Sequence, residues 1–104
     1  MAMATVKRTS EGVVLVEGRM TIPNAWELKE GLIRAAFEGP AEGKGVLLDL
    51  SGVEDMDTSG LQLLLLLRRE ALARGLGFRV LAAARAAEDV FSLLGEFTPS
   101  GTGR

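Results

Sequence analysis

Apolar residues recur along this chain in two rhythms: short β-rich runs, and longer stretches in which they return every three or four positions. Val13-Val14-Leu15-Val16 is such a run. It follows the turn-like Ser10-Glu11-Gly12, with Val6-Lys7 before it, so the two arms read as an antiparallel hairpin. Beyond Gly18, Thr21-Ile22-Pro23 supplies an N-cap and an early-turn proline, opening a helix to about Glu38 before Gly39-Pro40. Its buried stripe is Ala25, Leu28, Leu32 and Ala36, with Trp26, Ile33 and Phe37 on an adjoining strip, and Trp26 is expected to pack. Glu42 to Gly45 connects to Val46-Leu47-Leu48-Asp49-Leu50, an apolar run of central-strand length. Ser51 to Gly60 reads as a polar loop and Leu61 to about Arg74 as a leucine-rich helix. Phe78 to Ala82 is another strand, and Ala86 to Leu94 a short helix stopped at Gly95.

The order ββαβαβα predicts an α/β fold: one mixed β-sheet with helices packed on it, since each parallel crossover needs a helix. A single domain over about residues 5–96 is expected, with 97–104 as a flexible tail. On a helical wheel Leu61, Leu64, Leu67, Ala71 and Leu72 share the face that packs on the sheet. Leu63 and Leu66 fall instead among Gln62, Arg69, Glu70 and Ala73. Either another element covers them, or they form a partner-binding patch. Arg68, Arg69 and Arg74 complement the dipole at the helix end.

Composition acts mainly by subtraction. The 104 residues include no cysteine and no histidine, which removes disulfides, thiol nucleophiles, the usual zinc ligand sets and imidazole acid–base chemistry. No P-loop is present, no metal or cofactor is expected, and the chain reads as a binding module and not an enzyme. The formal charge of −2, with scattered bases, speaks against nucleic acid as a partner. The leucine run from Leu63 to Leu67 is far shorter than the roughly 18 residues of a membrane span, so no membrane insertion and a cytoplasmic location are expected.

The strand Val46 to Leu50 with Ser51-Gly52-Val53, followed by Met56-Asp57-Thr58-Ser59-Gly60-Leu61, resembles the signature of the STAS family, which includes bacterial anti-sigma factor antagonists. That signature is a hydrophobic strand ending near an acid, then Asp-Ser/Thr-x-Gly-Leu at the mouth of a helix. The likeness extends over about residues 5–95, to the Ala-x-x-Leu-x-x-x-Leu pattern of the first helix and to Val90-Phe91 before Leu94-Gly95. Many antagonists carry Ser where this chain has Thr58, and longer members continue with a further strand and helix.

The resemblance implies a partner switch. Family members of this kind are phosphorylated on the hydroxyl residue after the Asp, which maps to Thr58, with Ser59 the neighbouring alternative. A phosphate there would meet free backbone N–H groups at a helix N-terminus. It would add about −1.5 to −2 charge to an acidic surround of Asp49, Glu54, Asp55 and Asp57. The expected partner surface is Asp55, Met56, Asp57, Thr58, Ser59, Gly60, Leu63 and Leu66. The expected partner is an anti-sigma factor of the ATP-binding serine/threonine kinase type. Taken without the family, Thr58 is simply an N-cap worth about 1 kcal/mol, beside a favourable charge on Asp57.

Two other functions compete. STAS branches with Asp-Thr-x-Gly-Leu-x-Leu-Leu and an Ile-x-x-Ala-x-x-Leu-Lys first helix resemble Ile22 to Lys29, which suggests a small subunit bound to an ABC transporter ATPase, or a chemotaxis-linked adaptor. A response-regulator receiver is suggested by Leu47-Leu48-Asp49-Leu50 and Met56-Asp57. Aspartyl-phosphate chemistry, however, needs an acidic pair near the first strand and a late lysine. Glu17 stands alone there and Lys44 is the last lysine, so acetyl phosphate is expected not to label Asp49.

Overall fold

The computed structural model describes residues 4–38 and 45–95. The expected tail, 97–104, lies outside them. In chain order the elements are β1 (Ala4–Arg8), β2 (Val13–Met20), a 3₁₀ turn over Ile22–Asn24, α1 (Ala25–Phe37), β3 (Val46–Met56), α2 (Thr58–Ala73), β4 (Phe78–Ala83) and α3 (Arg85–Leu94). The expected ββαβαβα order holds.

The hairpin forms because Thr9 organises its turn. The Thr9 hydroxyl accepts from the backbone N–H groups of Glu11 and Val13, and Thr9 N–H donates to Val13 carbonyl at 2.8 Å. The strands lie in the order β1-β2-β3-β4, the first pair antiparallel and the other two parallel. Helices α1 and α2 make the two parallel crossovers in the same direction, and right-handed connections place both on one face of the sheet. There α1 packs on β1 and β2, α2 touches both α1 and α3, and α3 lies against β3 and β4.

The core sits between that helical layer and the sheet. Val14, Val16 and Met20 of β2, with Leu48, Leu50, Val53 and Met56 of β3, meet Leu28 and Leu32 of α1, Leu61, Leu64 and Leu67 of α2 and Phe91 of α3. A buried leucine of this kind is worth about 1.5–3 kcal/mol in transfer free energy. Arg8 ties the ends of two elements together, its guanidinium donating to the Ala35 and Glu38 carbonyls that close α1. Arg74 follows the last residue of α2 and lies 4.0 Å over the Phe37 ring, joining the ends of both helices.

Three sequence expectations change. Residues 51–56 are not loop: β3 runs on to Met56, because β2 also runs on to Met20 and offers a partner, with Gly52 opposite Glu17 and Asp55 opposite Arg19. Bulges in that ladder keep Val53 and Met56 pointing into the core despite their spacing of three. Trp26 is 68% exposed and Leu72 60% exposed, so neither packs as expected. The neighbouring Leu28 and Ala71 take the inward positions instead.

Candidate functional site

The site forms where β2 and β3 end side by side. Met20 is opposite Met56 in the parallel ladder, and the next N–H, that of Asp57, donates to the Met20 carbonyl at 3.2 Å. Asp57 is extended (φ −121°, ψ −170°) and is the N-cap of α2. One carboxylate oxygen, Oδ1, accepts from Ser59 N–H at 2.9 Å and Gly60 N–H at 3.4 Å, and also from the Ser59 hydroxyl. The other, Oδ2, accepts from Ile22 N–H at 3.1 Å, which fastens the start of α2 to the 3₁₀ turn before α1. Desolvation raises the Asp57 pKa, but the bonds from the Ser59 hydroxyl and from the Ile22, Ser59 and Gly60 amides outweigh it and hold the group below its ordinary value.

Thr58 is therefore not the cap but the first residue of the helix. It is exposed, and its hydroxyl has no hydrogen-bond partner among the described residues. Ser59 is half-buried with its hydroxyl committed to Asp57. Gly60 makes the close approach possible, since a Cβ there would lie 2.5 Å from the Met20 carbonyl oxygen and 2.9 Å from Met56 Cγ. The arrangement offers one free hydroxyl at a helix N-terminus, braced from below by a carboxylate.

The electrostatic surround differs from the sequence expectation. With β3 continuous, Asp49 lies eight residues along the strand from Asp57, roughly 25 Å at the usual rise. Its carboxylate accepts from the Ser51 N–H and hydroxyl, at 2.9 and 2.6 Å. Asp49 does not belong to the site. Register adds a cation that sequence order hides, because Arg19 stands opposite Asp55. Of the other residues expected at the partner surface, Asp55 is exposed and Leu63 and Leu66 are half-buried. Met56 and Gly60 are buried: they hold the site up from beneath and present no surface to a partner.

A family model described as Mlab, STAS domain, matches residues 3–96. The chain belongs to the STAS family. Among solved structures, this STAS domain is similar to an anti-sigma factor antagonist from Mycobacterium paratuberculosis, with 26% identity and a TM-score of 0.69 over 89% of this chain and 77% of that one. It also shares the fold of the anti-sigma factor antagonist SpoIIAA in its unphosphorylated form, at 19% identity and a TM-score of 0.66 over 88% and 80% of the two chains. No curated protein gives a significant sequence match. Among the described residues no group of three or more acidic, His or Cys side chains could hold a metal ion, and no helix is long and apolar enough to cross a membrane.

Two features of this STAS site escape sequence reasoning. One is Asp57 as a brace to Ile22, a contact between residues 35 positions apart. The other is the exposure of Ile22 and Trp26. For the second a signal existed: Ile22, Trp26 and Lys29 fall on one helical stripe, about 100° round the helix from that of Leu28 and Leu32, and the stripe carries a charge.

Proposed function

We propose that this STAS domain is an anti-sigma factor antagonist, a binding module without catalysis of its own that is switched by reversible phosphorylation of Thr58. The observation that carries the reading is the contrast between two adjacent hydroxyls: Thr58 is exposed with its hydroxyl uncommitted, whereas that of Ser59 donates to Asp57. The similarity to the mycobacterial antagonist supports it. The partner is an anti-sigma factor of the ATP-binding serine/threonine kinase type. It binds the unmodified loop, and a phosphate on Thr58 repels it beside Asp55 and Asp57.

Incubation with the organism's kinase-type anti-sigma factor and ATP tests this. One phosphate is expected, placed on Thr58 by tandem mass spectrometry, abolished in Thr58→Ala and retained in Ser59→Ala. Phosphorylated protein should bind roughly tenfold or more weakly, the effect of about 1.4 kcal/mol of like-charge repulsion. Phosphate confined to Ser59 would overturn the assignment.

A second reading, a small subunit that binds an ABC-type transport ATPase, is favoured by one observation. Ile22 to Lys29, the segment resembling transport-linked STAS branches, carries the exposed Ile22 and Trp26, and its Ile22 N–H is held by Asp57. A pull-down that recovers an ABC-type ATPase and no kinase-type anti-sigma factor, with binding unchanged in Thr58→Glu, would select it.

A further inference from the structure

Among the described residues, helices cover one face of the sheet and leave the other open. Along β2, Val14 and Val16 point into the core, so Val13, Leu15 and Glu17 point the other way. Leu47 and Asp49 do the same on β3, alternating with the buried Val46, Leu48 and Leu50. On β1, Ala4 and Val6 pack against the core, which leaves Thr5 and Lys7 outward. Val13, Leu15 and Leu47 are half-buried, yet none of them packs against the core, and Leu81, the extra residue at the β4 bulge, is 43% exposed. An open apolar face is unusual on β2, β3 and β4, because parallel strands are normally buried on both sides.

The charges on this face are arranged about β2. Lys7 stands opposite Leu15, and Leu15 opposite Asp49, so one row across the strands reads Lys7, Leu15, Asp49. The cation and the anion thus lie one strand spacing, roughly 4.8 Å, to either side of the leucine. Lys7 is exposed and makes no ion pair among the described residues. Asp49 commits Oδ1 to the N–H and hydroxyl of Ser51, and its Oδ2 has no partner among them.

A two-fold axis running along β2 over Leu15 turns this row onto itself. Lys7 of each copy then stands over Asp49 of the other, and Val13 and Leu15 meet their own counterparts. The roughly 10 Å between packed sheets suits a long lysine against a short aspartate. Glu17, the next outward residue of β2, leans over β3, since a Cβ on Gly52 would lie 2.7 Å from its Cγ. The two Glu17 side chains therefore turn to opposite sides of the axis and do not meet.

We infer that this face binds a second copy of the chain, giving a symmetric dimer of two sheets packed face to face. Lys7 and Arg79 balance Asp49 and Glu17 on it, so no net charge draws the face to an anionic lipid surface or to a strongly charged protein. Thr58, Leu63 and Leu66 belong to the helical layer, so the dimer leaves the proposed switch surface open and carries it twice. The inference does not depend on the switch reading.

Sedimentation velocity on the full-length protein, from about 1 μM to about 1 mM, should show a mass that rises with concentration from 11.0 kDa towards twice that value. Lys7→Glu sets carboxylates against each other across the axis, and Asp49→Lys sets ammonium groups against each other, so each should weaken the dimer by roughly tenfold or more. The double variant Lys7→Glu/Asp49→Lys restores opposite charges between copies and should recover the wild-type association. Leu15→Lys places a charge against its own copy and should abolish the dimer. All should keep a cooperative melt at low concentration, because these side chains lie outside the core. If Asp49→Lys does not, Lys7→Glu and Leu15→Lys decide the matter together.

A chain that stays monomeric throughout overturns the inference, and one that instead binds phosphatidylglycerol vesicles, with loss of binding in Leu15→Ser, gives the face to lipid. A dimer left intact by Leu15→Lys and Lys7→Glu, or dissociated by Thr58→Glu, places the contact on another surface. Failure of the double variant to recover association removes the pairing of Lys7 with Asp49, and the axis with it.

Discussion

Asp57 accepts the backbone N–H of Ile22 at 3.1 Å, joining residues 35 positions apart, while its other carboxylate oxygen caps the helix that begins at Thr58. One side chain therefore ties the start of α2 to the turn that precedes α1. It leaves the Thr58 hydroxyl free by occupying that of Ser59 instead.

Removing that brace has a predictable cost. Asp57→Ala loses the N-cap and leaves the Ser59, Gly60 and Ile22 amides without their acceptor, so it should destabilise by about 1–2 kcal/mol in urea denaturation. Asp57→Asn keeps a cap oxygen and should cost less. Equal stability of all three proteins would show that the brace carries no energy.

The same carboxylate makes stability depend on pH in a defined direction. Because its folded pKa lies below the unfolded value, its contribution is complete above about pH 4 and is lost as pH falls through the lowered folded value. Wild-type and Asp57→Asn proteins should differ most near neutrality and converge in acid, measured as urea midpoints between about pH 6 and pH 2.5. A gap that widened towards low pH would contradict this.

Thr58 and Gly60 should respond in opposite ways to the same small change. Thr58→Ala removes an exposed side chain that is not the cap, so its stability should stay within about 0.5 kcal/mol of wild type. Gly60→Ala drives a Cβ to 2.5 Å from the Met20 carbonyl oxygen, a backbone atom that cannot rotate away, and should cost about 1–3 kcal/mol. Thermal melts of the two variants decide the matter.

On α2, the leucines differ in depth, and the proposed binding role of Leu63 and Leu66 can be separated from the core role of Leu64. Leu64→Ala empties a fully buried position and should cost about 2–5 kcal/mol. Replacing the half-buried Leu63 and Leu66 together by polar residues should keep a cooperative melt while weakening partner binding. Loss of the cooperative transition would assign both to the core.

The order of elements was legible in the sequence because it depends on local signals. The β-rich run at Val13, the proline at Pro23, the three-and-four spacing of Leu28 and Leu32, and the glycines after Arg74 each act over a few residues. The motif Asp57-Thr58-Ser59-Gly60 at a helix mouth was equally readable. What only the tertiary structure decided involves partners far apart in sequence. Residues 51–56 become strand because β2 lies alongside, and this moves Asp49 away from the site and brings Arg19 opposite Asp55. Ile22 meets Asp57 because parallel β2 and β3 end at the same edge of the sheet. The exposure of Trp26 follows from which side of α1 faces the sheet, a choice that Leu28 and Leu32 settle by burial. Local propensity fixes what most segments become, but contact between segments, and with it the strand at 51–56, is set by register and crossover direction, which no short window of sequence contains.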